Sequence, residues 1–178
     1  MKSTIPTDIV KMLGVILIGT AVTVNSALAN SDTLKSVDQP HPKNLANGMN
    51  NEILEKILQD NGKILEGSLG FWQVQYLDRV LTVVTDESHN RMRIMTAVVH
   101  KKDLKKAQTT ELLEAQFDRA LDVKYALYND ILWSAFVHPL KELTEHQVKD
   151  ALSQVYYAAH NFGGSYRSTD LQFGNRED

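Results

Sequence analysis

Three stretches in the middle of the chain alternate apolar and polar residues with a period of two, over residues 72–77, 80–85 and 91–99. Because successive side chains of a strand point to opposite faces, this period predicts half-buried antiparallel strands. A two-residue turn at Asp78 and Arg79 would join the first two strands and pair Val74 with Val83. One face of that hairpin then carries Trp72, Val74, Tyr76, Leu81 and Val83, and the other carries Gln73, Gln75, Leu77, Val80 and Thr82.

A second hairpin is predicted over residues 125–128 and 131–138, around Asn129 and Asp130, which both tolerate positive φ. The two faces of this hairpin are both apolar, so the pattern leaves open which face is buried; a shifted turn is the alternative. One face carries Tyr128, Ile131, Trp133 and Val137, and the other carries Leu127, Leu132 and Phe136.

Apolar residues at helical spacing predict three helices. The first begins at an Asn50 or Asn51 cap and ends at Gly62, and the second begins at Thr109 or Thr110.

The third helix has the clearest start and end. Thr144 and Gln147 form a capping box, and Gly163 and Gly164 close the helix. The resulting order, α-β-β-β-α-β-β-α, predicts the α+β class: a twisted, mostly antiparallel sheet with helices packed on it.

The first 29 residues differ from the rest, because Lys2 and Lys11 precede an apolar run over 12–24 that is followed by Ala27-Leu28-Ala29. As a helix this run would span about 20 Å, whereas a bilayer core needs about 30 Å. The pattern therefore favours a signal peptide cleaved between Ala29 and Asn30 over an uncleaved anchor. We expect a periplasmic or secreted protein with no membrane span after cleavage.

After the signal peptide, residues 30–48 predict a flexible linker, residues 49–173 a single domain and residues 174–178 a tail. The 178 residues are 43% hydrophobic, which suits one globular domain. Lys and Arg total 19 against 22 Asp and Glu, a net charge of −3 that argues against nucleic-acid binding. Because there is no cysteine, disulfides, thiolate metal sites and a cysteine nucleophile are excluded.

No catalytic, cofactor or metal motif occurs in the sequence. The histidines form no H-E-x-x-H pair, and there is no G-x-S-x-G elbow, G-x-G-x-x-G loop or P-loop. The sequence therefore predicts no catalytic residue, no metal ligand and no cofactor. The alternative is an enzyme of unrecognised type, in which His138 or His160 would meet carboxylates in a pocket.

Two features indicate binding instead. Gln73, Gln75, Arg91 and Arg93 occupy alternate positions of neighbouring strands and predict a polar, partly basic open sheet face; an ordinary solvent face is the alternative. The second feature is an apolar stripe on the middle helix, Leu113, Phe117 and Leu121 with Leu112 beside it. Such a stripe is normally core, but part of it can face a second subunit if other helices already cover the sheet.

The segments DRVLTVVTDE at 78–87, RMRI at 91–94 and DILWSAFVHP at 130–139 resemble the type III secretion chaperone-like fold family. This family includes CesT-type chaperones and YbjN-like proteins, and the resemblance covers about residues 49–173. It implies helices packed on a twisted antiparallel sheet, no cofactor, no ATP, and a homodimer formed through the middle helix. Leu113, Phe117 and Leu121 are the dimer-interface candidates that it implies. Such chaperones act in the cytoplasm, whereas this chain carries a signal-peptide pattern.

Together these observations lead to a hypothesis of function. The chain is expected to be an exported, non-enzymatic module that binds an extended or exported polypeptide by apolar contacts and strand addition. The alternative is a regulatory or structural adaptor that docks a folded partner.

Overall fold

The computed structural model describes residues 48–171, which form helices and strands in the order α-β-β-β-β-α-β-β-α. The strands are β1 (Lys63–Ser68), β2 (Phe71–Tyr76), β3 (Arg79–Asp86), β4 (Arg91–His100), β5 (Val123–Tyr128) and β6 (Ile131–His138). The helices are α1 (Asn51–Asn61), α2 (Lys106–Asp118) and α3 (Glu145–His160), with one 3-10 turn at Lys101–Asp103. The α+β class is confirmed. The expected cleavage site at Ala29 and Asn30 and the tail over 174–178 lie outside the described residues.

The strands of the described domain form one sheet in the order β1-β2-β3-β4-β6-β5, and every neighbouring pair is antiparallel. After β4 the chain leaves the sheet through α2 and re-enters it as the edge strand β5. It then turns back as β6, which lies between β5 and β4 and pairs with both. The sheet therefore has two edge strands, β1 and β5.

β1 is a strand that the apolar pattern did not predict, and it adds a fourth strand before α2. Only Ile64 of this strand is partly buried, and a β-bulge interrupts its pairing with β2 between Ile64 and Glu66. A strand that buries almost nothing carries no apolar alternation, so periodicity cannot reveal it. Its position follows from its ladder with β2.

The β2–β3 hairpin has a different turn from the predicted one. Tyr76 pairs with Arg79, so the turn is Leu77 and Asp78, and Val74 pairs with Leu81 instead of Val83. Leu77 adopts a φ of 51° there, which a leucine seldom does. Each partner shifts by two residues, a full period of the strand, and therefore both faces keep the predicted residues.

The β5–β6 hairpin has the predicted turn. Asn129 and Asp130 take φ values of 48° and 59°, and Tyr128 pairs with Ile131. The structure also decides which face is buried, because Leu132 and Phe136 join the core.

The core lies between one face of the sheet, here named the inner face, and the three described helices. Leu54 of α1, Leu112 of α2 and Leu152 of α3 all belong to the same buried cluster. The inner-face strand residues of that cluster are Trp72, Val74, Leu81, Val83, Met92, Ile94, Val123, Tyr125, Leu132 and Phe136. Burial of this one face positions the helices and the strands other than β1.

The capping predictions are confirmed for two helices. The Asn50 side chain accepts a hydrogen bond from the Ile53 N–H at 2.9 Å, which starts α1. At α3, the Gln147 N–H donates to Thr144 Oγ1 at 3.2 Å, and the Thr144 N–H donates back to Gln147 Oε1 at 2.9 Å. α3 ends at His160 and its C-cap is Asn161, whose N–H donates to the Tyr157 carbonyl, so the predicted closure by Gly163 and Gly164 is wrong.

The predicted start of α2 at Thr109 or Thr110 is wrong. α2 begins at Lys106, because the Lys105 N–H donates to Gln108 Oε1 at 2.9 Å and so satisfies the helix start one turn earlier.

Candidate functional site

The sheet face turned away from the helices, here named the outer face, carries apolar residues that take no part in the core. The strand registers place on it Phe71, Val80, Val84, Met95, Ala97, Ile131, Trp133, Ala135 and Val137. All three described helices contribute buried apolar residues to the inner-face cluster. The outer face is thus a surface with exposed or half-buried apolar side chains, apart from Trp133, which is buried.

The residues predicted to form a polar, partly basic face all lie on the outer face, but they do not form one patch. β3 separates Gln73 and Gln75 on β2 from Arg91 and Arg93 on β4. Gln73 is buried and Gln75 is half-buried, whereas both arginines are exposed. The β3 residues that separate the two pairs on this face are Val80, Thr82 and Val84. Asp86 of β3 lies opposite Arg91, so the basic character is confined to the β4 side.

Arg93 is flanked across the sheet by two apolar side chains. It lies opposite Val84 of β3 and opposite Val137 of β6, which is exposed. Among the described residues, neither Arg93 nor Arg91 takes part in an ion pair. Arg91 donates from Nη1 to the Asn90 carbonyl at 3.0 Å. Arg93 is therefore a solvent-exposed cation between two valines.

The edge strand β1 has its outer backbone groups free, so far as the described residues show. No side chain or loop of residues 48–171 bonds to that edge, and Leu65 and Leu69 are exposed by 47% and 56% beside it. Sequence reasoning missed these residues. The signal that marks their hairpin is Gly67 and Gly70, whose φ values of 134° and 101° favour glycine.

The other edge strand, β5, is partly closed by α2 and the segment that follows it. The Tyr125 N–H donates to Gln116 Oε1 at 3.2 Å, and the Val123 N–H donates to the Ala120 carbonyl at 3.1 Å. These bonds occupy edge donors that an incoming strand would need. β1 is therefore the more open edge for backbone pairing.

α2 divides its apolar residues between the core and solvent. Leu112 and Ala115 are buried, whereas Leu113 and Phe117 are exposed by 65% and 87%. Leu121 lies beyond the end of the helix, half-buried, with a φ of 49°. Of the three dimer-interface candidates, two therefore form an exposed apolar patch on the helix, and Leu121 is not part of the helical stripe.

The histidines considered for an enzyme make structural contacts. His138 donates from Nδ1 to the Pro139 carbonyl at 2.8 Å and stacks on Phe136. His160 stacks on Tyr156, whose hydroxyl donates to Asp78 Oδ1 at 2.8 Å. That hydrogen bond lowers the pKa of Asp78. The pKa of Tyr156 is raised, mainly because its hydroxyl is partly buried and secondly because of the same hydrogen bond.

The loop between β3 and β4 brings an Asp, a Ser and a His together without forming a nucleophilic triad. Ser88 Oγ donates to Asp86 Oδ1 at 2.6 Å, and His89 Nδ1 lies 2.7 Å from Asp86 Oδ2. In a triad the carboxylate and the hydroxyl contact different ring nitrogens, but Ser88 reaches the same Nδ1 at 3.1 Å. These bonds instead hold the pKa of Asp86 well below its usual range and fix the loop.

No three His, Asp or Glu side chains within residues 48–171 converge in an arrangement suited to a metal ion. The described helices are all too short or too polar to cross a bilayer.

Comparisons with known proteins add a fold relationship. No family model matches the chain, and no curated protein is similar to it. Among solved structures, a chain of the HopA1–SchA chaperone–effector complex is similar with a TM-score of 0.50 and 11% identity, over 62% of this chain and 90% of that chain. A chain of the ExsC–ExsE complex gives a TM-score of 0.40 and 12% identity, over 55% of this chain and 72% of that chain. The first similarity concerns the fold alone, and it confirms that the described residues adopt the type III secretion chaperone-like fold.

Proposed function

We propose that the chain is a non-enzymatic protein-binding module that holds an extended segment of a partner polypeptide. The observation that carries this proposal is the outer edge of β1, which is unpaired within residues 48–171 and has Leu65 and Leu69 exposed beside it. The fold similarity to a chain of a chaperone–effector complex supports a protein as the partner.

Strand addition gives this edge a physical means of binding. An extended polypeptide can pair its backbone with β1 and bury apolar side chains against Leu65 and Leu69, so that main-chain bonds supply affinity for many sequences. The bulge at Leu65 interrupts the ladder, and Lys63 and Glu66 add charge to the strand. Such features oppose unlimited edge pairing, so we expect a short added strand and no fibre growth.

The edge is tested with the double variant Leu65→Lys/Leu69→Lys. We expect its affinity for a permanently unfolded, reduced and alkylated polypeptide to fall by about tenfold or more, because two apolar contacts are lost and charge is added at the edge. Fluorescence anisotropy of the labelled polypeptide measures the affinity, and circular dichroism checks that the variant remains folded.

Leu127→Lys is the matched control for this experiment. Leu127 is exposed by 50% but lies on β5, at the opposite edge of the sheet. We expect this variant to bind the polypeptide as the unchanged protein does. Equal binding by the double variant, or an equal loss in Leu127→Lys, would exclude β1 as the binding edge.

The proposal includes export. The charged start, the apolar run over 12–24 and the small residues before Asn30 support cleavage after Ala29 and release into the periplasm or beyond. The segments at 78–87 and 130–139 support placing the chain with the YbjN-like proteins of this fold group.

A second candidate function, an adaptor that self-associates or docks a folded partner, is favoured by one observation. Phe117 is almost fully exposed on α2 with Leu113 one turn away. Large apolar side chains in such positions mark interaction sites when they form a patch. A competition experiment separates the candidates: an unfolded polypeptide displaces a partner held at β1 and leaves a folded partner on α2 in place.

A further inference from the structure

We infer that the polypeptide bound at β1 continues across the outer face and places a carboxylate side chain, flanked by apolar side chains, on Arg93. The inference rests on the proposed function and names the chemistry of the partner: an extended acidic and apolar segment. It concerns a site on the face of the sheet, separate from the backbone edge at which strand addition takes place.

A continuous row of residues leads from the edge to this site. In the strand registers, Ser68 of β1 pairs with Phe71, Phe71 with Val84, and Val84 with Arg93. Val137 of β6 follows Arg93. The row thus starts beside the exposed Leu69 and ends on the basic side of the outer face.

The spacing of strands sets where the acidic residue must occur in the partner. The partner's paired segment lies one step outside β1, so four strand-to-strand steps separate it from β4, a distance of about 19 Å at about 4.8 Å per step. An extended chain covers this distance in about six residues. We therefore expect the acidic residue about six residues beyond the part that pairs with β1.

Charge complementarity decides which side chain occupies the site. The chain is acidic overall, with 22 Asp and Glu against 19 Lys and Arg, yet Arg93 is exposed and has no carboxylate partner among the described residues. A cation between Val84 and Val137 favours a ligand that supplies a carboxylate with apolar neighbours on both sides. A basic segment would be repelled by Arg93, whereas Arg91, two residues away on the same face, lies opposite Asp86 of β3.

The test is a double-mutant cycle between protein and peptide. Two fluorescein-labelled peptides share a Thr/Val strand segment and a Gly/Ser spacer of about six residues, and they end in Leu-Glu-Leu or Leu-Gln-Leu. We expect the unchanged protein to bind the Glu peptide about two- to fivefold more tightly than the Gln peptide, the range of exposed charge pairs. Arg93→Gln should abolish this preference, and added salt should weaken it.

Lys56→Gln provides the matched control, because it also removes one exposed positive charge but lies on α1, on the other side of the sheet. It should keep the preference for the Glu peptide. Equal binding of both peptides by the unchanged protein would overturn the inference and leave strand addition intact. If neither peptide binds, both the inference and the proposed function fail. If Arg93→Gln instead changes the molar mass in solution, a second copy of the chain covers this face and the inference is overturned.

Discussion

Asp86 fixes the β3–β4 loop through its carboxylate, which accepts hydrogen bonds from the Ser88 hydroxyl and from the His89 N–H at 3.0 Å. These bonds, led by that of Ser88, lower the pKa of Asp86 in the folded protein. The charged carboxylate therefore stabilises the fold at pH values above its unfolded pKa of about 3.9. This contribution is lost as the pH falls from there towards the folded-state pKa.

Asp86→Asn should lower the thermal unfolding midpoint at pH 7, and the difference from the unchanged protein should narrow as the pH falls below about 3.9. Thermal unfolding followed by circular dichroism across a pH series measures both effects. Asp60→Asn on α1 removes an exposed carboxylate for comparison. A difference that stays constant between pH 7 and pH 2 would show that the charge of Asp86 does not contribute.

Single residues also show where sequence reasoning reaches its limit. The Asn129-Asp130 turn was predicted because both side chains tolerate positive φ, and the structure places both there. Leu77 and Leu121 take positive φ without any such preference. Their conformations follow from the pairing of the strands and the end of α2, which no local preference encodes.

At the scale of elements, α2 carries the clearest prediction for an interface. Leu113→Ser with Phe117→Ser should leave the free energy of unfolding within about 0.5 kcal/mol, because both side chains are exposed. If these residues form a homodimer interface, the double variant should be monomeric at concentrations where the unchanged protein is dimeric. Light scattering over a concentration series measures the molar mass.

Leu112 offers a comparison at the neighbouring position. Its side chain is buried, so Leu112→Ala should lower the free energy of unfolding by about 2–5 kcal/mol, as measured by urea unfolding.

In the light-scattering series, an unchanged protein that is monomeric at every concentration would contradict the dimer proposed from the exposed patch of Leu113 and Phe117.

The elements that were predicted well are those with strong local signals. The Asn50 cap and the Thr144–Gln147 capping box involve residues three apart in the chain, so sequence alone contains both partners. β1 has no such signal, because an edge strand with exposed side chains forms through its bonds to β2. The most open edge of the candidate site was therefore absent from the sequence-based description.

At the scale of the whole molecule, the signal-peptide proposal makes a prediction about the length of the exported chain. Protein recovered from the periplasm should have the intact mass of a chain that begins at Asn30. Ala29→Arg should leave the precursor uncleaved, because a small residue is required before the cleavage site. Ser36→Arg, beyond the site, should be processed normally. Periplasmic protein with the full precursor mass would contradict cleavage.

Contacts between remote segments hold one end of the molecule together. The Asn51 N–H donates to Glu87 Oε1 at 2.9 Å, which ties α1 to the β3–β4 loop. The Lys141 N–H donates to Asn90 Oδ1 at 2.8 Å, and Asn90 Nδ2 donates to Glu142. The hydrogen bond from Asn90 lowers the pKa of Glu142. These partners lie 36 to 52 residues apart, so local sequence patterns could not reveal them.

The sequence by itself determined the α+β class, the periods of most strands and helices, two helix caps and the face on which Gln73, Gln75, Arg91 and Arg93 lie, because these depend on residues a few positions apart. Only the tertiary structure decided that β4 pairs with β6, that β1 is the more open edge within residues 48–171, and that Arg93 lies between Val84 and Val137. Those features depend on which remote segments meet when one face of the sheet is buried under three helices. Such pairings are selected by the burial and hydrogen bonding of the whole domain, and a local pattern of apolar residues does not specify them.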